Sequence, residues 1–227
     1  MPIRGWRCSG LLDINGTTAG PAPAVKGTGT RPARLYLARH GRTPLNAAGA
    51  LRGHIDVPLD DVGTAQAQRL GVAMGALGPR YVVSSPLRRA RQTAEPYAER
   101  AGLPIIVDER LIDRDYGQWA GTSAEAVVAQ WVSIDSAPGV EPAARVRQRV
   151  LAALADIAQA GHGEDGLVVS HDVVIRTALA ALDPGLGDPD RVPQETGCFN
   201  TLEYHQQAGG TLRWVVVKVN EIPGEAS

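Results

Sequence analysis

The sequence predicts an α/β protein: a three-layer α/β/α sandwich whose mostly parallel sheet ends in an antiparallel edge hairpin. Three observations carry this. Short apolar runs alternate with helical stretches from Ala33 to Leu182. Two of those runs, Leu35-Tyr36-Leu37-Ala38 and Leu167-Val168-Val169-Ser170, each lead into a histidine, His40 and His171. The last two runs, Phe199–Tyr204 and Leu212–Val219, flank the turn-forming Gln206-Gln207-Ala208-Gly209-Gly210.

Residues 1–32 differ from the rest. The stretch Asn15–Pro32 is dominated by Gly, Thr, Ala and Pro and buries little, so 1–32 is expected to be a flexible N-terminal tail. One folded domain is expected over 33–222, with 223–227 as a short C-terminal tail. Within it, Ala33–Ala38 reads as a strand and Gly63–Leu77 as a helix with mixed three- and four-residue apolar spacing. Tyr81–Ser84 is a buried strand leading through Pro86 into a helix from about Leu87 to Ala101. Pro104–Val107 is the next strand. Glu141–Ala160 is a long amphipathic helix, with Val146, Val150, Leu151, Leu154 and Ile157 on one face. Leu167–Ser170 is a strand followed by the helix Val173–Leu182.

The chain has 227 residues, 44% hydrophobic and 21% charged, which is ordinary for a globular protein. A net charge of −1 gives no bulk attraction for nucleic acid or an anionic membrane, so neither is an expected partner. Anion binding must come from a local arginine cluster. No apolar run reaches the roughly 18 residues of a membrane span. Arg4 and Arg7 precede only Leu11-Leu12, too short an apolar centre for a signal peptide. Cys8 and Cys198 are far apart and read as free thiols. A cytoplasmic location is expected. No His-x-His or carboxylate triad suggests a metal site, and no cofactor is expected.

Two histidines delivered by strand ends suggest one site, because ligands of open α/β sheets bind where strand C-termini meet the following loops. Histidine can act as a covalent nucleophile, and the planar fork of arginine suits phosphate oxygens. Arg39-His40-Gly41 together with His171 points to phosphoryl transfer through a phosphohistidine.

From Leu35 onward the chain resembles the histidine phosphatase superfamily, in the branch of phosphoglycerate mutases and small-molecule phosphatases. Leu37–Asn46 fits the family's first motif. Leu51-Arg52-Gly53-His54-Ile55-Asp56-Val57-Pro58-Leu59 resembles its substrate loop, Ser84–Ala94 its second arginine motif, and Leu111–Gly121 its acid motif. Val169-Ser170-His171 resembles the segment with the second histidine. The resemblance implies that His40 is the nucleophile and that Arg39, Arg89 and His171 surround the phosphoryl oxygens. Such preorganised cations stabilise the transition state more than the ground state. Thr43 and Asn46 are expected to bind oxygen or fix the loop. Arg52 and Gly53 of the substrate loop, Tyr116 of the acid motif, and Glu141 of a substrate-rim motif are expected to meet the substrate. At Arg52, where many relatives carry a small polar residue, an arginine suits a second anionic group.

The leaving alkoxide needs a proton. The acid motif most commonly offers Glu; here the matching residue is Asp113, one methylene shorter. Asp172, directly after the second histidine as in the acid phosphatase branch, is the second candidate, and Asp115 the third. The span Gly121–Glu141 is short, and Thr122–Pro138 contains no lysine or arginine, unlike the basic insertion of a mutase. The expected function is therefore metal-independent hydrolysis of a small-molecule phosphate ester, such as a sugar phosphate or a phosphoglycerate-like compound. The alternatives are a phosphoglycerate mutase and a non-catalytic phosphate-binding module. The edge hairpin offers a surface for a homodimer.

Overall fold

The computed structural model describes residues 11–13, 32–206 and 212–224. In chain order the elements are β1 (Leu11–Asp13), β2 (Ala33–Arg39), α1 (Pro44–Ala47), α2 (Asp61–Leu77), β3 (Tyr81–Ser84), α3 (Arg88–Ala101), β4 (Ile105–Asp108), α4 (Ala124–Trp131), α5 (Ala143–Ala160), β5 (Gly166–Ser170), α6 (Asp172–Leu182), β6 (Phe199–Gln206) and β7 (Leu212–Glu221). The strands form one sheet in the order β1-β4-β3-β5-β2-β6-β7. Its centre, β4-β3-β5-β2, is parallel. β6 and β7 add the expected antiparallel edge, with their turn at 207–211 outside the described residues.

The opposite edge differs from expectation. β1 lies inside the stretch read as a tail and pairs antiparallel with β4, Leu12 opposite Val107. The rest of 1–31, and 225–227 of the C-terminal tail, lie outside the described residues.

Period-2 alternation sends side chains of one strand to two cores. Leu35 and Leu37 of β2, with Val83 and Val168, pack with Val146, Val150, Leu154 and Ile157 of α5 and Ile175 and Leu179 of α6. Tyr36 and Ala38, with Val82, Leu167 and Val169, pack on the other face against Leu70 and Met74 of α2 and Ala94 and Tyr97 of α3. Helices therefore cover both faces, the expected three-layer arrangement. Among the described residues no helix is long and apolar enough to cross a membrane.

Capping sets the helix limits. Asp60 caps α2 by accepting the Gly63 N–H at 2.8 Å, so the helix starts two residues before the expected Gly63. Gly78 and Gly102, both at positive φ, end α2 and α3. At Gly63 the α2 backbone meets the loop after β2: a Cβ there would lie 2.0 Å from the Arg42 carbonyl oxygen. This contact places the loop that carries His40.

Candidate active site

Parallel pairing of β2 and β5 sets Arg39 opposite Ser170, so the next residues, His40 and His171, leave neighbouring strand ends side by side. Their ring centroids are 5.1 Å apart, and both side chains are fully buried. His40 Nδ1 lies 2.7 Å from the Gly41 carbonyl oxygen. A carbonyl can only accept, so Nδ1 carries the proton. Burial, then the charges of Arg89 and Arg39, push the His40 pKa well below its ordinary value. The ring is therefore neutral, and Nε2 presents a bare lone pair, buried and without a protein partner. Burial and the Arg89 charge likewise keep His171 neutral. Its Nε2 lies 2.7 Å from Ser85 Oγ, while Nδ1 is buried and has no hydrogen-bond partner. With the Ser85 hydroxyl donating to Nε2, Nδ1–H is a free donor.

Two arginines complete the surround. Arg89, on the first turn of α3, is wholly buried. It donates to the carbonyls of Ile55 at 2.8 Å and Gly53 at 2.9 Å, and to Asp113 Oδ2 at 3.0 Å. Arg39 donates to the Gln194 carbonyl and lies 3.3 Å from Asp172 Oδ2. In both guanidiniums Nε is buried without a partner. Three unspent donors, Arg39 Nε, Arg89 Nε and His171 Nδ1, thus accompany the bare His40 Nε2. A phosphoryl group has three non-bridging oxygens. Arg52 is a third cation with a buried, unpartnered Nε, and its charge also acts on His40 and His171. Its Nη1 donates to the Ala50 carbonyl of its own loop at 3.3 Å.

Of the three acid candidates, Asp113 alone contacts both Arg89 and His171, the latter at 3.8 Å from Nδ1. Asp172, at the start of α6, is held between Arg39 and Arg176. Asp115 caps the Gly117 N–H at 2.8 Å.

The remaining expected residues divide. Thr43 and Asn46 bond each other, Thr43 Oγ1 donating to Asn46 Oδ1 at 2.7 Å, and together cap α1. These contacts fix the start of α1. Gly53 sits at φ +51° against the Tyr116 ring, and its carbonyl anchors Arg89. Tyr116 is buried, which pushes its hydroxyl pKa up. Glu141, expected at the substrate rim, is turned instead to Arg149, which binds its two oxygens at 2.9 and 3.0 Å. Burial pushes the Glu141 pKa up, but the Arg149 hydrogen bonds and charge outweigh that and hold it below its ordinary value.

Sequence reasoning missed Ser85, Thr93, Gln194 and Arg149. Thr93 Oγ1 accepts the Gly41 N–H at 3.0 Å. Ser85 and Thr93 lie within the second arginine motif, Ser84–Ala94; Gln194 acts through its backbone carbonyl and carries no sequence signal.

The chain is similar to known proteins in sequence and in fold. The chain is 33% identical over 216 residues to the bifunctional protein Rv2228c of Mycobacterium tuberculosis, covering 89% of this chain and 58% of that protein's length. The structure of Bacillus stearothermophilus YhfR superposes with a TM-score of 0.75 at 30% identity, over 84% of this chain and 98% of that one. Mycobacterial glucosyl-3-phosphoglycerate phosphatase Rv2419c with VO3 superposes at 0.69 and 28% identity, over 83% and 99% of the two chains. A family model, the histidine phosphatase superfamily (branch 1), matches residues 35–217. Its span holds both histidines, the arginines around them and Asp113, and the chain belongs to that superfamily.

Proposed function

We propose that the protein is a metal-independent phosphomonoesterase acting on a small-molecule phosphate, of the sugar-phosphate or phosphoglycerate-like class, through a phosphohistidine. The observation that carries this reading is the bare, buried Nε2 of His40 among three N–H donors that have no protein partner. The likeness to a glucosyl-3-phosphoglycerate phosphatase supports the substrate class.

In the first step the His40 Nε2 lone pair forms a bond to phosphorus while the ester P–O bond breaks. Asp113, which takes up a proton as the phosphate dianion binds beside it, gives that proton to the departing alkoxide. Arg39, Arg89 and His171 take up the charge on the three equatorial oxygens. In the second step water attacks phosphorus, the N–P bond breaks, Asp113 takes the water proton, and phosphate leaves. The case for Asp113 over Asp172 is that Asp113 Oδ2 lies beside both Arg89 and His171, at 3.0 and 3.8 Å, whereas Asp172 is held between Arg39 and Arg176.

The test is a steady-state assay with p-nitrophenyl phosphate and 3-phosphoglycerate, each in the presence of EDTA. Phosphate release without formation of 2-phosphoglycerate, abolished by His40→Ala, supports the reading. Isomerisation would make the protein a mutase; phosphate or vanadate binding without turnover would make it a binding module.

A further inference from the structure

Arg149 spends all five of its N–H groups away from its own helix. Nη1 donates to the carbonyls of Arg110 at 2.7 Å and Ile112 at 2.6 Å. Nη2 donates to the Asp113 carbonyl at 3.2 Å and to Glu141 Oε2 at 3.0 Å, and Nε to Glu141 Oε1 at 2.9 Å. Three of these bonds land on the loop Arg110–Asp115. Glu141 closes the clasp from its other side. Its N–H donates to the Asp115 carbonyl at 2.8 Å, its carbonyl accepts Arg114 Nε at 2.8 Å, and Oε2 accepts the Asp115 N–H at 3.4 Å. The same Asp113 carbonyl lies 3.0 Å from His54 Nε2, tying the acid loop to the substrate loop.

We infer that Arg149, locked by Glu141, is a positioning residue that sets where the Asp113 carboxyl sits relative to the leaving oxygen. This rests on Asp113 being the proton donor. An aspartate reaches one methylene less than a glutamate, so its backbone must be placed more tightly for the carboxyl to come within hydrogen-bond reach. A guanidinium is suited to that task, because its rigid fork meets a carboxylate bidentately and still spans three carbonyls. A lysine, one point charge with three donors on one atom, cannot span five acceptors.

The experiment compares an aryl ester, p-nitrophenyl phosphate, whose leaving group needs little protonation, with an alkyl ester, β-glycerol phosphate. The expected result for Arg149→Met is a fall of about 10²-fold in kcat/KM on the alkyl ester and a fall of less than about fivefold on the aryl ester. Arg149→Lys should not rescue it. In an Asp113→Asn background, adding Arg149→Met should cost nothing further on the alkyl ester, because both changes remove the same proton transfer. Equal losses on both esters, additive losses in the double variant, or no loss on the alkyl ester would each overturn the inference. Circular dichroism melts establish that the variants are folded. Should Arg149→Met not fold, Glu141→Gln, which keeps the three carbonyl bonds, decides by the same comparison, with a smaller selective loss expected. A wild-type protein inactive on both esters would instead remove the phosphatase reading on which this rests.

Discussion

The guanidinium of Arg89 lies 3.0 Å from Oδ2 of Asp113, with the two side chains 0% and 3% exposed. A buried pair of this kind is worth little against an apolar replacement of both residues, yet removal of one partner strands the other charge. Here Arg89 also brings an unspent Nε to the pocket, so function and stability are coupled at one residue.

Arg89→Met should therefore fail on both counts. Loss of a transition-state donor costs about 10²–10³ in kcat/KM. The uncompensated Asp113 charge, with the Ile55 and Gly53 carbonyls also unpaired, costs about 3–5 kcal/mol of stability. Urea unfolding and an aryl phosphate assay measure the two separately.

The pH dependence of stability follows from the two buried histidines. Burial, reinforced by Arg89, depresses both pKa values well below the ordinary 6.5. Below that value the unfolded chain binds protons that the folded state refuses. Stability is therefore fully present above about pH 6.5 and falls on acidification, with a slope of up to about 1.4 kcal/mol per pH unit for each histidine. Urea midpoints at pH 7.5, 6.5 and 5.5 should decline. The decline should be shallower in His40→Gln, which removes one of the two linked protons.

Backbone contact between Gly41 and Gly63 sets the loop after His40. A Cβ on Gly63 would lie 2.0 Å from the Arg42 carbonyl oxygen, and one on Gly41 2.5 Å from the Gly63 carbonyl oxygen. Neither neighbour is a side-chain tip that can swing away. Gly63→Ala should cost at least the roughly 1–3 kcal/mol of core overpacking, read as a lowered urea midpoint. The moved loop should also lower kcat.

The parallel core and its two histidines were legible because apolar runs, turn residues and motif order all agreed. Arg39, His40, Arg89, Asp113 and His171 come together, since β2 and β5 pair in register and α3 begins just after β3. β1 escaped notice because three residues just ahead of a Gly-, Thr-, Ala- and Pro-rich stretch are too few to carry a period, and their strand exists through pairing with β4. Helix α4 escaped for a related reason. Its sequence Ala-Glu-Ala-Val-Val-Ala-Gln-Trp buries only Val127, so no apolar stripe advertises it, although Ser123 caps it. The pairing of Glu141 with Arg149 was not legible because its partner is an arginine two helical turns on, whose other targets are carbonyls, which no side-chain pattern records.

Arg52 is the remaining cation of the site, and its role divides substrates. Arg39, Arg89, Arg114, Arg149 and Arg176 each have a carboxylate partner. Arg52 has no carboxylate partner among the described residues, and the three free donors of Arg39, Arg89 and His171 already match the three phosphoryl oxygens. A surplus guanidinium beside the pocket is expected to bind a second anionic group of the substrate. The clean comparison is 3-phosphoglycerate against glycerol 3-phosphate, which differ by a carboxylate in place of a hydroxymethyl group. A charge-assisted hydrogen bond contributes roughly 1.5–3 kcal/mol, so Arg52→Gln should lower kcat/KM for 3-phosphoglycerate by about 10- to 100-fold. Glycerol 3-phosphate should lose less than about threefold, since on that substrate Arg52 meets no charge. Equal losses on both would assign Arg52 to the phosphoryl group itself, and the variant would then resemble Arg89→Met in its kinetics though not in its stability.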